Sequence, residues 1–265
     1  MMKERVIPEL TLDIKTDIPF PQAQLTIHQP SITEISMIGE IDFLVGVNAL
    51  AKDYQKYKDN SDLSNMSNFD ILMSVVGEKT ETSKKIAENI QKIFFLIFPN
   101  YDIVFTPSSM LFKDTTTDQN ANQLSMIDSN NFDIFQNIIY EMFCLHMLSH
   151  EDVDEYNPQG DRARAIVDKF RKKREYLAQL RKERGEDNEK ASVFGRYINI
   201  LAVGEGKDKN VLREYSVYQL IEEFNRFQLK ETFDFTFEAK MAGATKLKDA
   251  KDWTGEIIFS DKNEE

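Results

Sequence analysis

The sequence has few of the residues that secreted and metal-dependent proteins rely on. Its 265 residues include a single cysteine, Cys144, so no disulfide can form within the chain, and a reducing compartment is expected. Only three histidines are present. The most apolar run, 93–98, ends at Pro99 and falls far short of the roughly 20 residues that span a bilayer. Residues 1–10 lack the apolar stretch of a signal peptide. These absences favour a cytosolic protein without a membrane span.

Positive charge is also in short supply. Lysine and arginine number 33 against 45 acidic residues, which gives a formal net charge of -12. A negative surface repels phosphate backbones and anionic lipid head groups, so the composition disfavours general binding to nucleic acid and to membranes. Hydrophobic residues make up 41% of the chain, which is enough to form a hydrophobic core that is stable without disulfide cross-links.

The first thirty residues are rich in proline. Four of the seven prolines in the chain lie here, namely Pro8, Pro19, Pro21 and Pro30. Each removes a backbone donor and biases the preceding residue towards extended geometry. The pattern predicts an extended N-terminal arm over 1–30, and alternating apolar residues predict strands within it at 10–14 and 24–28.

The next part of the chain shows helical spacing. Ser31 followed by Glu34 predicts a capping box, and the helix that starts there is expected to break at Gly39 and Gly46. Helix starts are also predicted for the similar segments 67–72 and 130–135. An amphipathic helix is predicted over 80–98 and a further helix over 132–148, with a short hairpin near residues 101–113 between them.

The turn residues at 157–161 mark a change from apolar to basic composition and predict a domain boundary. A long basic helix with a narrow apolar stripe is predicted over 162–184. Two more helices are predicted over 193–203 and 216–230, separated by a loop at 204–210. The spacing in the phenylalanine-rich stretch 230–241 is compatible with two structures: a strand, or an extension of the helix predicted over 216–230.

Together these elements predict a mainly α fold with a small β component, of the α+β class. We expect an extended N-terminal arm at 1–30, an α-rich domain with a small hairpin at 31–156, and a C-terminal helical domain at 161–265 that begins with the basic helix.

No segment carries a complete catalytic or cofactor signature. His146 and His150 have helical metal-ligand spacing, but the glutamate that a zinc protease places after its first histidine is missing. Cys144 lies among apolar residues, and nothing nearby in the sequence offers His28 an orienting acid. The 204–207 loop matches no phosphate-binding pattern. We therefore assign no catalytic, cofactor or metal residue and expect a non-enzyme, with a metal-dependent hydrolase at the histidine pair as a third hypothesis.

Two features could bind partners. Arg171, Lys172 and Arg174 form the densest part of the basic helix, which could be a solvated surface, dock on an acidic protein, or serve a nucleic-acid-binding or regulatory adaptor. The only tryptophan, Trp253, lies among charged residues. It could be a hot spot of an interface, or it could anchor the C-terminal segment to the rest of the protein. These four residues are the candidate partner-binding set.

Several segments, in order and spacing from about residue 28 to 255, resemble a family of tailed-bacteriophage proteins described as tail assembly chaperones or baseplate components. The matching segments are 28–35 (HQPSITEI), 39–40 (GE), 141–143 (EMF), 156–161 (YNPQGD), 196–198 (RYI), 202–204 (AVG), 218–220 (YQL), 223–227 (EFNRF), 242–244 (AGA) and 252–253 (DW).

The resemblance implies a non-enzymatic role in tail or baseplate morphogenesis. It implies other phage tail or baseplate proteins as partners and the host cytoplasm as the location, and it leaves open incorporation in the virion and oligomerisation. It brings no cofactor and no catalytic residue.

Overall fold

A computed structural model describes residues 6–52, 66–115, 124–145, 192–243 and 253–254. These residues form a mainly helical protein with two small antiparallel sheets, as the sequence predicts. The helices are α1 (Glu9–Asp13), α2 (Ile32–Ile38), α3 (Glu40–Ala51), α4 (Asn68–Gly77), α5 (Glu81–Ile97), α6 (Phe132–Met142), α7 (Val193–Gly204), α8 (Lys209–Arg213) and α9 (Val217–Met241). The strands are β1 (Ile18–Phe20), β2 (Leu25–Ile27), β3 (Tyr101–Phe105), β4 (Met110–Asp114) and β5 (Leu124–Ile127).

The N-terminal segment contributes buried side chains to the core. Residues 10–14, predicted to be a strand, instead form most of α1, with only Leu12 of its apolar residues buried. A contact from outside the local sequence stabilises this conformation, since the buried Gln29 side chain donates from Nε2 to the carbonyls of Thr11 at 2.8 Å and Thr16 at 2.6 Å. The second predicted strand is confirmed as β2, which pairs antiparallel with β1 across a single 3-10 turn, Pro21–Ala23.

Long-range hydrogen bonds tie this segment to the later chain. The backbone N–H groups of Val6 and Ile7 donate to the Glu141 carboxylate on α6 at 2.8 and 2.9 Å. At the other end of α1, Gln219 Nε2 of α9 donates to the Asp13 carbonyl at 2.6 Å. The predicted arm therefore lies against both α6 and the beginning of α9.

The helix start at Ser31 is confirmed. Ser31 N–H donates to Glu34 Oε2 at 2.7 Å, and Glu34 N–H donates to Ser31 Oγ at 3.2 Å, which completes the capping box of α2. The break at Gly39 is also confirmed, since this glycine has φ +90° and separates α2 from α3.

The break predicted at Gly46 is wrong. Gly46 lies inside α3, where a Cβ would stand 2.5 Å from Ile93 Cδ1 and 3.0 Å from the Asn89 backbone oxygen of α5. The missing side chain lets the two helices approach closely, so packing between helices explains this glycine. At the end of α3, Gln136 Nε2 of α6 donates to the carbonyls of Leu50 at 2.7 Å and Lys52 at 3.1 Å.

The central helices follow the predicted pattern with two exceptions. The helix predicted over 132–148 ends at Met142, and Cys144 just after it has a left-handed backbone with φ +47°. Ser67 and Asp70 form a second capping box at the start of α4, and α5 covers the predicted amphipathic segment with Thr80 as its N-cap. Asn131 makes no cap bond to α6. Its Oδ1 accepts from the Asp128 N–H at 3.0 Å, and the side chain closes the turn before the helix.

The predicted hairpin is confirmed as β3 and β4, with Tyr101 opposite Asp114 and Phe105 opposite Met110. A third strand, β5, was not predicted, and it pairs antiparallel with β4 on the other side. Inward-facing Phe112 packs on the helices through rings whose centroids lie 4.7 Å from Phe98 and 6.1 Å from Phe94. The sheet thus covers one side of an aromatic core.

The C-terminal part of the chain is helical, and the structure decides between the two alternatives for residues 230–241. α7 agrees with its prediction, and α9 runs on through Met241, so Phe233, Phe235 and Phe237 belong to a helix and not to a strand. The predicted loop at 204–210 overlaps a short helix, α8, which Asp208 caps by accepting from the Asn210 N–H at 2.8 Å.

One buried cluster joins early and late elements. The Phe43 ring of α3 lies edge-on to Phe143 at 5.0 Å between centroids and to Phe194 of α7 at 6.1 Å. The core therefore includes residues from both 31–156 and 161–265. The boundary predicted at 157–161 lies outside the described residues, so the division into these domains stays a prediction.

Candidate partner-binding surface

Of the four partner-binding candidates, Trp253 lies among the described residues. Arg171, Lys172, Arg174 and the pair His146 and His150 lie outside the described residues. Trp253 is described and is half-buried. Its carbonyl oxygen accepts a hydrogen bond at 3.2 Å from Nη1 of Arg226, a residue of α9.

The first turn of α7 is held by a carboxylate from α3. Ser192 caps the helix by accepting from the Gly195 N–H at 2.7 Å. Glu40 Oε1 accepts from the backbone N–H groups of Val193 at 2.6 Å and Phe194 at 3.3 Å, and Glu40 Oε2 accepts from the Ser192 hydroxyl. A negative charge is favourable at a helix N-terminus, so this contact fixes α7 on the body.

The inner face of α7 packs on α9. Phe194, Ile198 and Leu201 are buried, and the Tyr197 ring stacks on Phe224 with 4.3 Å between centroids. Burial raises the pKa of the Tyr197 hydroxyl, against a smaller opposing effect of the Arg196 charge.

At the end of α7, Gly204 permits a close crossing. A Cβ on this glycine would lie 2.6 Å from Phe227 Cε2 of α9 and closer still to Cζ. The absence of a side chain at Gly204 therefore sets the spacing of the two helices at this point.

The outer face of α7 and the Phe227 ring form an open, mostly apolar groove of about 700 Å³. Val203 is 85% exposed there, a high value for an aliphatic side chain. Arg196 and Asn199 provide polar groups in the same groove. We call this surface the α7 groove, and it is lined by Ser192, Gly195, Arg196, Asn199, Ile200, Val203, Gly204 and Phe227.

Sequence reasoning did not identify this groove. Its α7 residues recur at intervals of three and four, which is the signal of a single helical face. The residues themselves are small, polar and aliphatic, and the same pattern is typical of an ordinary exposed face. The Phe227 ring, which makes the surface concave, is 23 residues further along the chain.

The loop after α7 is fixed by ion pairs. Lys207 Nζ contacts the Glu223 carboxylate of α9 and lies 3.2 Å from Glu205 Oε2. Burial alone would lower the pKa of Lys207, but hydrogen bonds to Glu223 and Glu205 raise it overall. The lysine of this glycine-containing loop is thus engaged by two carboxylates.

His28 has acidic partners that the sequence did not reveal. Its Nδ1 lies 3.1 Å from Asp17 Oδ1, and its Nε2 lies 3.4 Å from Glu34 Oε1. Burial favours a raised pKa for Glu34, yet the Ser31 hydrogen bonds and the charges of His28 and Lys15 lower it overall. The neighbouring Ser31 is buried and occupied in capping α2, so it is not presented as a nucleophile.

Within the described ranges, no group of three or more His, Cys, Asp or Glu side chains could hold a metal ion. No helix in the same part of the chain has the length and apolar character needed to cross a bilayer.

Comparison with known proteins gives one match. The model of a family described as YomV second domain matches residues 187–257, which are 71 of the 265 residues. No curated protein and no solved structure matches the chain. The matched range includes α7, α9, the α7 groove and Trp253. This C-terminal part of the chain is therefore similar to a domain of a phage-derived protein family from a Bacillus prophage.

Proposed function

We propose that this chain is a phage tail or baseplate morphogenesis protein that acts by binding other proteins, as an assembly chaperone or as a structural baseplate component. The match to a phage-derived family over residues 187–257 supports a phage origin. The resemblance of segments between 28 and 255 to tail assembly and baseplate proteins supports the narrower role. The chain would act in the host cytoplasm and, as a structural component, in the virion.

The observation that carries a binding role is the exposed Val203 in the α7 groove. An exposed, mostly apolar surface is a favourable place for another molecule to bind, because association removes that surface from water. The groove also has a rigid frame, because Glu40 fixes one end of α7 and the Gly204–Phe227 contact fixes the other. A surface that is ordered before binding loses little conformational entropy on association.

The residues that line the α7 groove indicate which side chains a partner segment should carry. An amphipathic segment could place apolar side chains on Ile200, Val203 and Phe227, which lie towards one end of the α7 groove. Arg196, one to two turns earlier on α7, favours a carboxylate in the partner at that position. The proposed partner segment is thus apolar with acidic flanks.

The role is tested in the phage or prophage that carries the gene. Val203→Asp places a charge in the apolar groove and is expected to reduce the yield of infectious particles at least tenfold, with incomplete tails seen by electron microscopy. Val211→Asp is the matched control, since Val211 is 54% exposed on α8 outside the groove. Full yield and normal tails after deletion of the whole gene would contradict the proposal.

Mass spectrometry of purified virions and of infected-cell lysate distinguishes a structural baseplate component from an assembly chaperone. A structural component would be found in purified virions at a fixed ratio to tail proteins. A chaperone would be found in the infected-cell lysate bound to a tail protein and would be missing from virions. Absence of the protein from virions together with normal tail assembly in the deletion strain would rule out both.

A further inference from the structure

The three-stranded sheet ends on one side at β3. β4 pairs with both β3 and β5, and no other strand in the described part of the chain pairs with β3. Just before β3, the Asn100 carbonyl accepts from the Thr115 N–H at 2.9 Å. Because bonded residues alternate along an antiparallel ladder, the even-numbered residues of β3 bond to β4. The N–H and C=O groups of Ile103 and Phe105 therefore point away from β4, towards the open edge.

This edge has the groups that an additional strand needs. Within the described ranges, the backbone groups of Ile103 and Phe105 have no hydrogen-bond partner. An open edge of this kind is a template for pairing with another chain, and proteins commonly protect such edges with proline, lysine or a bulge. None of these devices occurs in the five residues of β3, whose register with β4 is continuous.

Apolar side chains extend to the same edge on both faces of the sheet. Val104 lies opposite Leu111, and Leu111 lies opposite Met126, so the three side chains form a row across the outer face. Val104 is 57% exposed and Met126 is 48% exposed. On the inner face, the Phe105 ring packs edge-on against Phe94 at 5.6 Å between centroids and is still 37% exposed. Covering the edge would thus remove apolar surface from water on both faces.

We propose that β3 pairs antiparallel with β3 of a second copy of this chain, so that two three-stranded sheets join into one sheet of six strands. The two-fold axis passes between the two Val104 residues. Ile103 then lies opposite the partner's Phe105, and each donates its N–H to the carbonyl of the other. Symmetry repeats this pair, so every open backbone group of Ile103 and Phe105 gains a partner.

The backbone favours this register over its two neighbours. A register centred on Ile103 would need the N–H of Tyr101, which already donates to the Phe98 carbonyl at 3.2 Å. A register centred on Phe105 would place Ile103 opposite the partner's Pro107, which has no N–H to donate. The register centred on Val104 uses only the groups that the edge leaves open.

The side chains agree with the same register. Val104 lies opposite the partner's Val104, so the rows formed by Val104, Leu111 and Met126 in the two copies join into a single apolar row across six strands. Asp102 lies opposite the partner's Thr106, so no two like charges face each other across the contact. The edge is therefore complementary to itself.

The contact uses one short strand from each copy. Its area is small compared with that of stable dimers, so we expect an association that depends on protein concentration. β3 lies outside the α7 groove and outside the matched residues 187–257, so the pairing does not depend on the proposed function. A dimer carries two α7 grooves, which strengthens binding to a partner with repeated sites.

Cysteine cross-linking of the full chain tests the pairing. Val104→Cys is expected to form a disulfide between two chains under mild oxidation, because α-carbons in such a non-hydrogen-bonded pair lie about 4.5 Å apart. Met126→Cys is the matched control, since Met126 is similarly exposed on the same face but would lie five strand spacings, or about 24 Å, from its counterpart. The native Cys144 is buried. Equal yields for the two variants, or no disulfide from Val104→Cys, would overturn the proposal.

Charges at position 104 give a second test without oxidation. Val104→Lys places two like charges opposite each other and is expected to weaken dimerisation about tenfold in analytical ultracentrifugation, and Val104→Glu should have the same effect. An equal mixture of the two variants should dimerise again, because lysine then faces glutamate. Met126→Lys is the control that should leave the association unchanged.

Two outcomes of the ultracentrifugation would contradict the proposal. A mixture that stays monomeric would show that position 104 does not meet its counterpart. A natural chain that remains monomeric at every concentration would also overturn self-pairing and would leave the β3 edge to a strand of a different protein.

Discussion

Glu40 of α3 accepts a hydrogen bond of 2.6 Å from the backbone N–H of Val193, a residue 153 positions further along the chain. This contact connects the helix pair α2 and α3 to the region similar to the phage family. The same carboxylate also accepts from Ser192 and Phe194, so three donors at the start of α7 depend on it.

Replacing Glu40 by alanine is expected to destabilise the protein by about 1–2 kcal/mol, since the first turn of α7 loses its acceptor and its favourable charge. The measurement is urea unfolding followed by circular dichroism. Glu40→Gln keeps an acceptor oxygen without the charge, so its loss should be smaller. Equal losses for the two variants would show that the hydrogen bonds contribute nothing beyond the charge.

Gly46→Ala is expected to destabilise the protein by about 1–3 kcal/mol, although alanine is the better helix former. The added Cβ would meet Ile93 at 2.5 Å and the Asn89 backbone at 3.0 Å. Gly77, the last residue of α4, has open space around its Cα and serves as the control. Both variants are compared with the natural chain by thermal unfolding, in which Gly77→Ala should be neutral or slightly stabilising. A stable Gly46→Ala variant would mean that α3 and α5 can separate freely.

The capping carboxylate of α2 should make stability depend on pH. Glu34 has a folded-state pKa below its usual value of 4.5, so the unfolded chain binds more protons between the two values. Its contribution is complete above pH 4.5 and is lost as the pH falls through the folded-state pKa. Urea midpoints measured from pH 7 down to pH 3 should therefore fall at the acid end.

Glu34→Gln is the matched variant for this pH dependence. Glutamine can still accept from the Ser31 N–H and complete the capping box, but it does not titrate. The variant should lose stability less steeply below pH 4.5 than the natural chain. An unchanged slope would assign the acid sensitivity to other carboxylates, of which Asp42 is the next candidate because its hydrogen bond to Lys92 lowers its pKa.

The contact between Arg226 and Trp253 can be followed by fluorescence, because Trp253 is the only tryptophan in the chain. Arg226→Ala removes the donor to the Trp253 carbonyl, and the emission maximum is expected to move to longer wavelength as the half-buried ring gains water. Lys230→Ala, one turn further along α9, removes an exposed pair with Asp234 and should leave the emission unchanged. Identical spectra for the two variants would contradict a role for Arg226 in holding Trp253.

Features set by neighbours in sequence could be predicted. The capping boxes at Ser31 and Ser67 need only residues three apart, and the apolar face of α5 repeats within a single segment. Both signals are local, so distant parts of the chain do not alter them. The mainly α class with a small hairpin followed from such signals.

Features set by distant contacts could not be predicted. The Gln29 amide donates to the carbonyls of Thr11 in α1 and Thr16 just after it, a contact that the alternating pattern of residues 10–14 does not reveal. The role of Gly46 depends on α5, some forty residues later. The four residues of β5 carry little strand signal and gain their geometry by pairing with β4.

The candidate site shows the same limit. Trp253 was identified because a single tryptophan among charged residues is visible in the sequence, whereas its contact with Arg226 is not. The α7 groove needs both the outer face of α7 and the Phe227 ring, and nothing in the sequence shows that they are adjacent. A surface made by two helices becomes visible only when their crossing is known.

The bonds from the N-terminal segment to α6 and α9 also bear on synthesis of the protein. Val6 and Ile7 find their acceptor at Glu141, and Asp13 finds its donor at Gln219. At about 5–20 residues per second, a ribosome needs roughly 10–40 s to extend the chain from the first of these residues to the last. During that interval the apolar side chains Ile7, Leu12 and Phe20 lack the partners that later bury them. The nascent chain therefore exposes apolar surface to which general molecular chaperones can bind until the later helices are made.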